Sequence, residues 1–385
     1  MPAARSQLIA DAECAWNERR WLDAIPLFDE ANRRQSSPKL EARIVQARHR
    51  AFRELPRRSA TGPWPPLPPR LSDDPGFGGQ GFDGQGLDGQ GLDGQPAAAG
   101  DIPEIDAADL SAEVLARSIR GHGSLLVRGL LGAPAVHRLI TGIDRSFEAF
   151  DRCEGSGTPS GADPHTGGGV ADPTSGAPWF APFHPERRYP FDPGGRRFVV
   201  TNGGMWTVDS PRAMFDVLES FRAVGLRRVL REYLGERPVL SAKKATLRRV
   251  VMARGGDWHQ DGAFLGAGIR SINVWLALSA CGGASKCPGL DVVPQRLPEV
   301  CPTGTDGAWF DWSVGQGMVD RVAGPAGVVR PAFEPGDALL FDDLNLHRTA
   351  PLPGHDDADV VPRYAIETWF FAPSVYPAEQ IPVVW

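Results

Sequence analysis

Two short segments carry residues able to hold a redox-active metal. Trp258-His259-Gln260-Asp261-Gly262 sets an imidazole and a carboxylate two positions apart. Phe341-Asp342-Asp343-Leu344-Asn345-Leu346-His347-Arg348-Thr349 supplies a second imidazole much later in the chain, and Arg363 follows it. Two histidines and one carboxylate are the ligand set of a facial non-haem Fe(II) site, which leaves coordination positions open. Residues i and i+2 of a strand share a face. His259 and Asp261 are therefore expected to reach one metal while Gln260 points away. Arg363 opens an apolar run ending at Phe371, where its planar fork could grip a carboxylate. Thr349 would present its hydroxyl on the side of His347. Alternation turns Arg348 away from the metal, so Arg363 is the preferred anion ligand.

These residues need rigid elements behind them. The chain from residue 101 alternates helical stripes with β-runs. Helices are predicted for Ser111–Ile119, Ala135–Phe150 and Arg212–Leu234 from their 3.6-residue periodicity. Strands are predicted for Ser124–Val127, Ala245–Met252, Ser271–Leu278, Gly289–Val293, Val328–Phe333, Ala338–Phe341 and Arg363–Phe371, with Gly and Pro pairs at their turns. Helices first and strands later imply an α+β fold, a sandwich or barrel with a helical flank. A second histidine so far from the first suits a jelly roll, whose neighbouring strands are distant in sequence. Residues 151–197 form a connection too long to be ordinary and are expected to act as a lid.

The N-terminal part differs. Residues 7–55 read as two helical runs separated at Ser36-Ser37-Pro38, with Pro38 suited to a first turn. Their Ala15-Trp16…Trp21…Ala24-Ile25…Phe28 pattern resembles half of a tetratricopeptide repeat, a unit that stacks in groups of about three. The hairpin is expected either to pack on the rest of the chain or to receive a protein partner. Residues 56–100 read as a linker. Pro63–Pro69 favours extended polyproline geometry, and Gly-Phe/Leu-Asp-Gly-Gln repeats from Gly81 resist ordering. The GxGxxG match at Gly76, Gly78 and Gly81 lacks a preceding strand and is read as chance. The expected division is thus a helical hairpin over 1–55, a linker over 56–100 and a main domain over 101–385.

Bulk properties exclude several classes. The 385 residues are 42% hydrophobic, enough for a sizeable core. A formal charge of −6 argues against a nucleic-acid binder. No apolar run approaches the length of a membrane helix, and Met1–Ser6 has no apolar signal core. Five cysteines, Cys14, Cys153, Cys281, Cys287 and Cys301, are odd in number and irregularly spaced. They suit reduced thiols of a cytoplasmic protein better than disulfides or a zinc site. His165, His184 and His355 are read as solvated loop residues, and Trp258 and Trp275 as packing residues. The pairs Arg187-Arg188 and Arg196-Arg197 are read as a solvated face, with contact to an anionic substrate as the alternative.

Residues 101–374 resemble the Fe(II)/2-oxoglutarate dioxygenases of the phytanoyl-CoA dioxygenase type. The resemblance is carried by the His259/Asp261 and His347/Thr349 segments, by Ser271-Ile272-Asn273-Val274-Trp275-Leu276-Ala277-Leu278, by Pro288-Gly289-Leu290-Asp291-Val292-Val293-Pro294, and by Glu334-Pro335-Gly336-Asp337 before Ala338. It implies a double-stranded β-helix (jelly-roll, cupin-like) core with flanking helices. It implies Fe(II) on His259, Asp261 and His347, and 2-oxoglutarate with its distal carboxylate on Arg363 and Thr349. Asn273, Lys244 and Arg248 are candidates for the near carboxylate. It further implies O2 as co-substrate, a small-molecule or acyl-type substrate to be hydroxylated, and release of succinate and CO2. Related halogenases lack the carboxylate ligand, so Asp261 favours hydroxylation. The His347-to-Arg363 spacing exceeds the family's usual one because Pro353–Asp359 is inserted. Two alternatives remain open here: an inactive fold acting as a scaffold through residues 7–55, and a cupin-like metal enzyme that does not use 2-oxoglutarate.

Overall fold

The computed structural model describes residues 2–56, 63–66, 101–155, 178–251, 255–304, 307–352, 354–355 and 360–385, and among these twelve strands and ten α-helices follow one another. The pentapeptide repeats, the chance glycine match, His165 and the middle of the 151–197 connection lie outside the described residues. The strands are β1 Glu104–Asp106, β2 Ser124–Arg128, β3 Gly204–Trp206, β4 Val239–Val250, β5 Ser271–Ala277, β6 Cys281–Gly282, β7 Leu290–Val292, β8 Ala332–Phe333, β9 Ala338–Phe341, β10 His347–Thr349, β11 Arg363–Phe371 and β12 Pro382–Val384.

The main sheet runs β1-β2-β9-β5-β11-β4-β12, and β3 also pairs with β4. Its pairings are antiparallel except β1 with β2. A second ribbon joins β7 to β10, and isolated bridges add His259 opposite His347, Trp258 opposite Val314 and Val292 opposite Val329. The sheet is covered on both faces, which explains the unbroken apolar run of β5. Ile272, Val274 and Leu276 join a core beneath the helices with Leu125, Val127, Leu340, Ile366 and Phe370. Trp275 and Ala277 point the other way, into a core with Leu339, Phe341, Ala365, Trp369, Leu290 and Val292. That second core lies between the main sheet and the ribbon that carries His347.

Several elements depart from the sequence expectation. The predicted helix Arg212–Leu234 is two helices, Pro211–Ala223 and Leu226–Leu234, because Gly225 takes φ 76° between them. β4 begins at Val239 rather than Ala245. Opposite Thr368 and Phe370 it places Ala245 and Leu240, so extra residues bulge out and break the alternation over Lys243-Lys244. The helix Pro193–Thr201 lies in the stretch read as a loop, with Asp192 capping the amides of Gly194 and Gly195.

The N-terminal residues form three helices, Pro2–Asn17, Trp21–Arg34 and Pro38–Arg50, rather than two runs. Their apolar stripe is spent on the chain itself. Ala24, Phe28, Ile44 and Ala47 share a core with Phe215, Val239 and Val384. Buried Arg48 pairs with Asp29 at 2.7 Å and donates to the Val384 carbonyl at 3.0 Å. His49 is fully buried, with Nδ1 2.8 Å from the Pro382 carbonyl and Nε2 accepting from the Glu186 amide at 3.1 Å.

His49 gives this junction a pH dependence. Burial pushes its imidazole down to about 4; Arg188 and Arg50 act in the same sense, and the Pro382 carbonyl and Glu186 oppose them. Between the folded value and the ordinary value of 6.5, the unfolded chain binds more protons than the folded one. Stability from this group is complete above that ordinary value and is lost as pH falls toward 4. His49→Gln should therefore flatten the acid-side decline of stability by about 3 kcal/mol. Thermal melts of both proteins across this pH range check it, and parallel curves would remove His49 from the role.

Candidate metal centre

His259 and His347 are cross-strand neighbours. The His259 amide donates to the His347 carbonyl at 3.0 Å, and the return bond is 3.1 Å. This reciprocal pair fixes two imidazoles side by side, with ring centroids 4.5 Å apart. Asp261 does not continue the strand. It has φ −61° and ψ −24° and starts the short helix Gly262–Leu265. The expected strand alternation thus fails at the carboxylate, and a turn returns it to the imidazoles instead. Gly262 permits that turn: its amide donates to the Asp343 carbonyl at 2.9 Å. An added Cβ would lie 2.9 Å from Val300 and 3.1 Å from that carbonyl. Gln260 points away, as expected, and clamps the loop. It donates to the carbonyls of Leu344 at 2.8 Å and Glu299 at 3.2 Å, and accepts from the Cys301 amide at 2.7 Å.

The donor atoms of His259, Asp261 and His347 lie within 4.8 Å of one another, the one metal-capable group among the described residues. Each imidazole is oriented by its own backbone. Nδ1 of His259 is 3.0 Å from the Asp257 carbonyl, and Nδ1 of His347 is 3.1 Å from the Asn345 carbonyl. A carbonyl only accepts, so Nδ1 carries the proton and Nε2 offers its lone pair to the centre. Burial, with His259 alongside, pushes His347 down to about 4. Burial opposes ionisation of Asp261, but Lys244 and the two imidazoles together hold it below the usual carboxylate range. Its Oδ1 accepts from Lys244 Nζ at 2.8 Å. Its Oδ2 is buried without a hydrogen-bond partner and stands 3.7 Å from His347 Nε2. A bare anionic oxygen converging with two imidazole lone pairs fits a divalent cation.

Arg363 lies at the other end of the ribbon. It is 4% exposed, yet no carboxylate pairs with it among the described residues. One guanidinium nitrogen donates to the carbonyls of Pro288 at 3.1 Å and Gly289 at 3.3 Å. Its Nε is buried without a partner, and the guanidinium carbon is 5.7 Å from the centroid of the Trp275 ring. Burial pushes the guanidinium below its ordinary value. Gly289 precedes Leu290, which sits opposite Thr349, two positions along from His347 opposite Val292. About 7 Å of strand therefore separates the metal end from the Thr349 end.

The remaining expected residues divide. Asn273 is 1% exposed and sits between Phe341 and Trp369 in register. Its Oδ1 has no partner, while the Phe341 ring packs on His347 at 4.6 Å. Lys244 is engaged by Asp261, and Arg248 by Glu367 at 2.9 Å. Arg348 turns away and pairs with Asp291 at 2.9 Å, its guanidinium over Trp258. Trp258 and Trp275 are buried, as expected of packing residues. The reading of Arg196 as solvated is corrected: it is 4% exposed and paired with buried Asp209 at 2.7 Å. None of the five cysteines is in a disulfide.

Sequence reasoning missed the aromatic surface beside the metal. Phe264 stacks on His259 at 6.2 Å, and Trp312 meets the same ring edge-on at 5.8 Å. Phe310 stacks on Trp312 at 5.1 Å. All three remain partly open to solvent, with Trp312 43% exposed. The signal that could have found Phe264 is its place one turn after Asp261; Trp312 had none, because a long loop brings it in.

No family model matches the chain, and no curated protein matches it. It is similar to a solved structure of EctD from S. alaskensis with 2-oxoglutarate and 5-hydroxyectoine, at 17% identity and TM-score 0.41, covering 69% of this chain and 77% of that one. It is also similar to AviO1 from Streptomyces viridochromogenes Tue57, at 19% identity and TM-score 0.39, covering 70% and 98%. A third is SnoN, the non-haem α-ketoglutarate-dependent epimerase from nogalamycin biosynthesis, at 15% identity and TM-score 0.38, covering 68% and 82%. Such distant likeness leaves the chemistry to be read from the side chains themselves.

Proposed function

We propose that the chain is a non-haem Fe(II)- and 2-oxoglutarate-dependent oxygenase built on a double-stranded β-helix, of the phytanoyl-CoA dioxygenase type. On this reading residues 101–385 are the oxygenase domain, residues 1–55 a helical appendage and residues 56–100 their linker. His259, Asp261 and His347 hold the iron. Bound iron with 2-oxoglutarate and O2 supplies the oxidising power for a substrate C–H bond, with succinate and CO2 released. The protein holds the geometry and keeps water from the reacting centre.

The observation that carries this reading is Arg363. Burying a cation without an anion is costly, and here the cation sits on the Pro288 and Gly289 carbonyls, just past Leu290, the residue opposite Thr349. A diacid chelating the metal through its 2-oxo acid end would bring its far carboxylate to Arg363 and the Thr349 hydroxyl. A metal enzyme that does not use such a co-substrate has no need of that buried charge. Asn273, with its unpartnered Oδ1, is assigned to the near end of the same pocket. Phe264, Trp312 and Phe310 form the wall on which a small organic substrate would lie. The scaffold alternative gains no support, since the apolar stripe of the N-terminal helices is buried on the sheet.

Incubation of the purified protein with Fe(II), O2 and 2-oxoglutarate tests this function. Succinate should form, should require all three, and should rise when a correct substrate is added from a panel. Absence of succinate with iron bound would sink the proposal.

A further inference from the structure

Lys244 is engaged with a metal ligand rather than standing free for a co-substrate. Its Nζ donates to Asp261 Oδ1 at 2.8 Å, on a carboxylate that is 2% exposed. The same ammonium lies 3.8 Å from the centroid of the Phe264 ring, and Phe264 in turn stacks on His259. The bulge in β4 projects Lys244 into this place, since residues 243 and 244 fall within the register shift. Asp261 Oδ2 is the oxygen left over, buried and unpartnered near His347 Nε2. We infer that Lys244 is a positioning residue that confines Asp261 to one metal-facing oxygen. This rests on the oxygenase reading proposed above.

The physical reason is the two-oxygen geometry of a carboxylate. Unrestrained, Asp261 could offer both oxygens to one cation and occupy a position that a chelating 2-oxo acid needs. An ammonium fixed on Oδ1 engages that oxygen and holds the carboxylate plane. The ring face of Phe264 also lies against the ammonium. Loss of the lysine removes a cation beside the metal as well as an orienting bond. These two effects oppose each other for metal binding but not for the open coordination position.

The test compares wild type, Lys244→Met and Lys244→Arg in two anaerobic titrations, with thermal melts alongside. The first measures affinity for Mn(II). The second follows the visible charge-transfer band that a chelated 2-oxo acid gives with Fe(II). Lys244→Met should change Mn(II) affinity by less than about threefold while weakening 2-oxoglutarate binding by roughly 10- to 100-fold. Lys244→Arg, which keeps a donor to Oδ1, should recover most of the band. If Lys244→Met binds 2-oxoglutarate as wild type does, the inference fails. It fails equally if metal and 2-oxoglutarate affinity fall together, or if Lys244→Arg behaves as Lys244→Met does. Failure of the wild type itself to give the band would instead overturn the oxygenase reading.

Discussion

Replacing Arg363 by methionine should leave the free protein at least as stable as wild type while weakening 2-oxoglutarate binding by about 30- to 4,000-fold, the equivalent of 2–5 kcal/mol. The two effects have one cause. Among the described residues, Arg363 is buried with two carbonyl contacts and an orphaned Nε. Without an anion it is a desolvated charge, and replacing such a charge by an apolar side chain of similar length is neutral or stabilising. With the far carboxylate of the co-substrate in place, the same guanidinium becomes half of a buried ion pair. Thermal melts without ligand and isothermal titration with 2-oxoglutarate check the two halves separately. Metal affinity should be nearly unchanged, because Arg363 touches none of the three ligands. A variant that melts lower and still binds 2-oxoglutarate normally would show that the arginine serves the fold.

The second large effect belongs to Asp261. Asp261→Ala removes the anionic ligand and leaves two neutral imidazoles, so Fe(II) affinity and succinate formation should each fall by at least about 100-fold. Asp261→Asn serves as the control for folding, since its amide oxygen can still accept from Lys244. It should melt near wild type and remain almost inactive. Metal titration and a succinate assay on both variants decide the matter. Unchanged turnover in Asp261→Ala would remove the triad from the chemistry.

How much of this was legible depended on whether a residue's partner is near in sequence. His259 and Asp261 could be paired from their spacing, and His347 from the apolar strand before it. The route to that pairing was different, however: a turn at Gly262, not strand alternation, brings Asp261 back. Arg363 was preferred over Arg348 by alternation, and Asp291 indeed draws Arg348 aside. Lys244 was legible only as a candidate anion contact. Its bond to Asp261 depends on a bulge in β4, and a bulge is set by pairing with β11 rather than by local sequence. Arg196 looked solvated because arginines usually are, yet Asp209 holds it in the interior. The short strand β12, with Pro382 at its start, carried no signal of its own, and it is the strand on which the N-terminal helices settle.

In the proposed function a dicarboxylate spans from the triad to Arg363. The most direct measurement is an anaerobic titration of the Fe(II)-loaded protein with 2-oxoglutarate and with 2-oxobutanoate, following the visible charge-transfer band. Both acids can chelate through the 2-oxo acid end, but only 2-oxoglutarate carries the far carboxylate. A saturable one-to-one band is expected with 2-oxoglutarate, and 2-oxobutanoate should bind more weakly by about 30-fold or more. Equal affinity for the two acids, or no band with either, would contradict the proposed function.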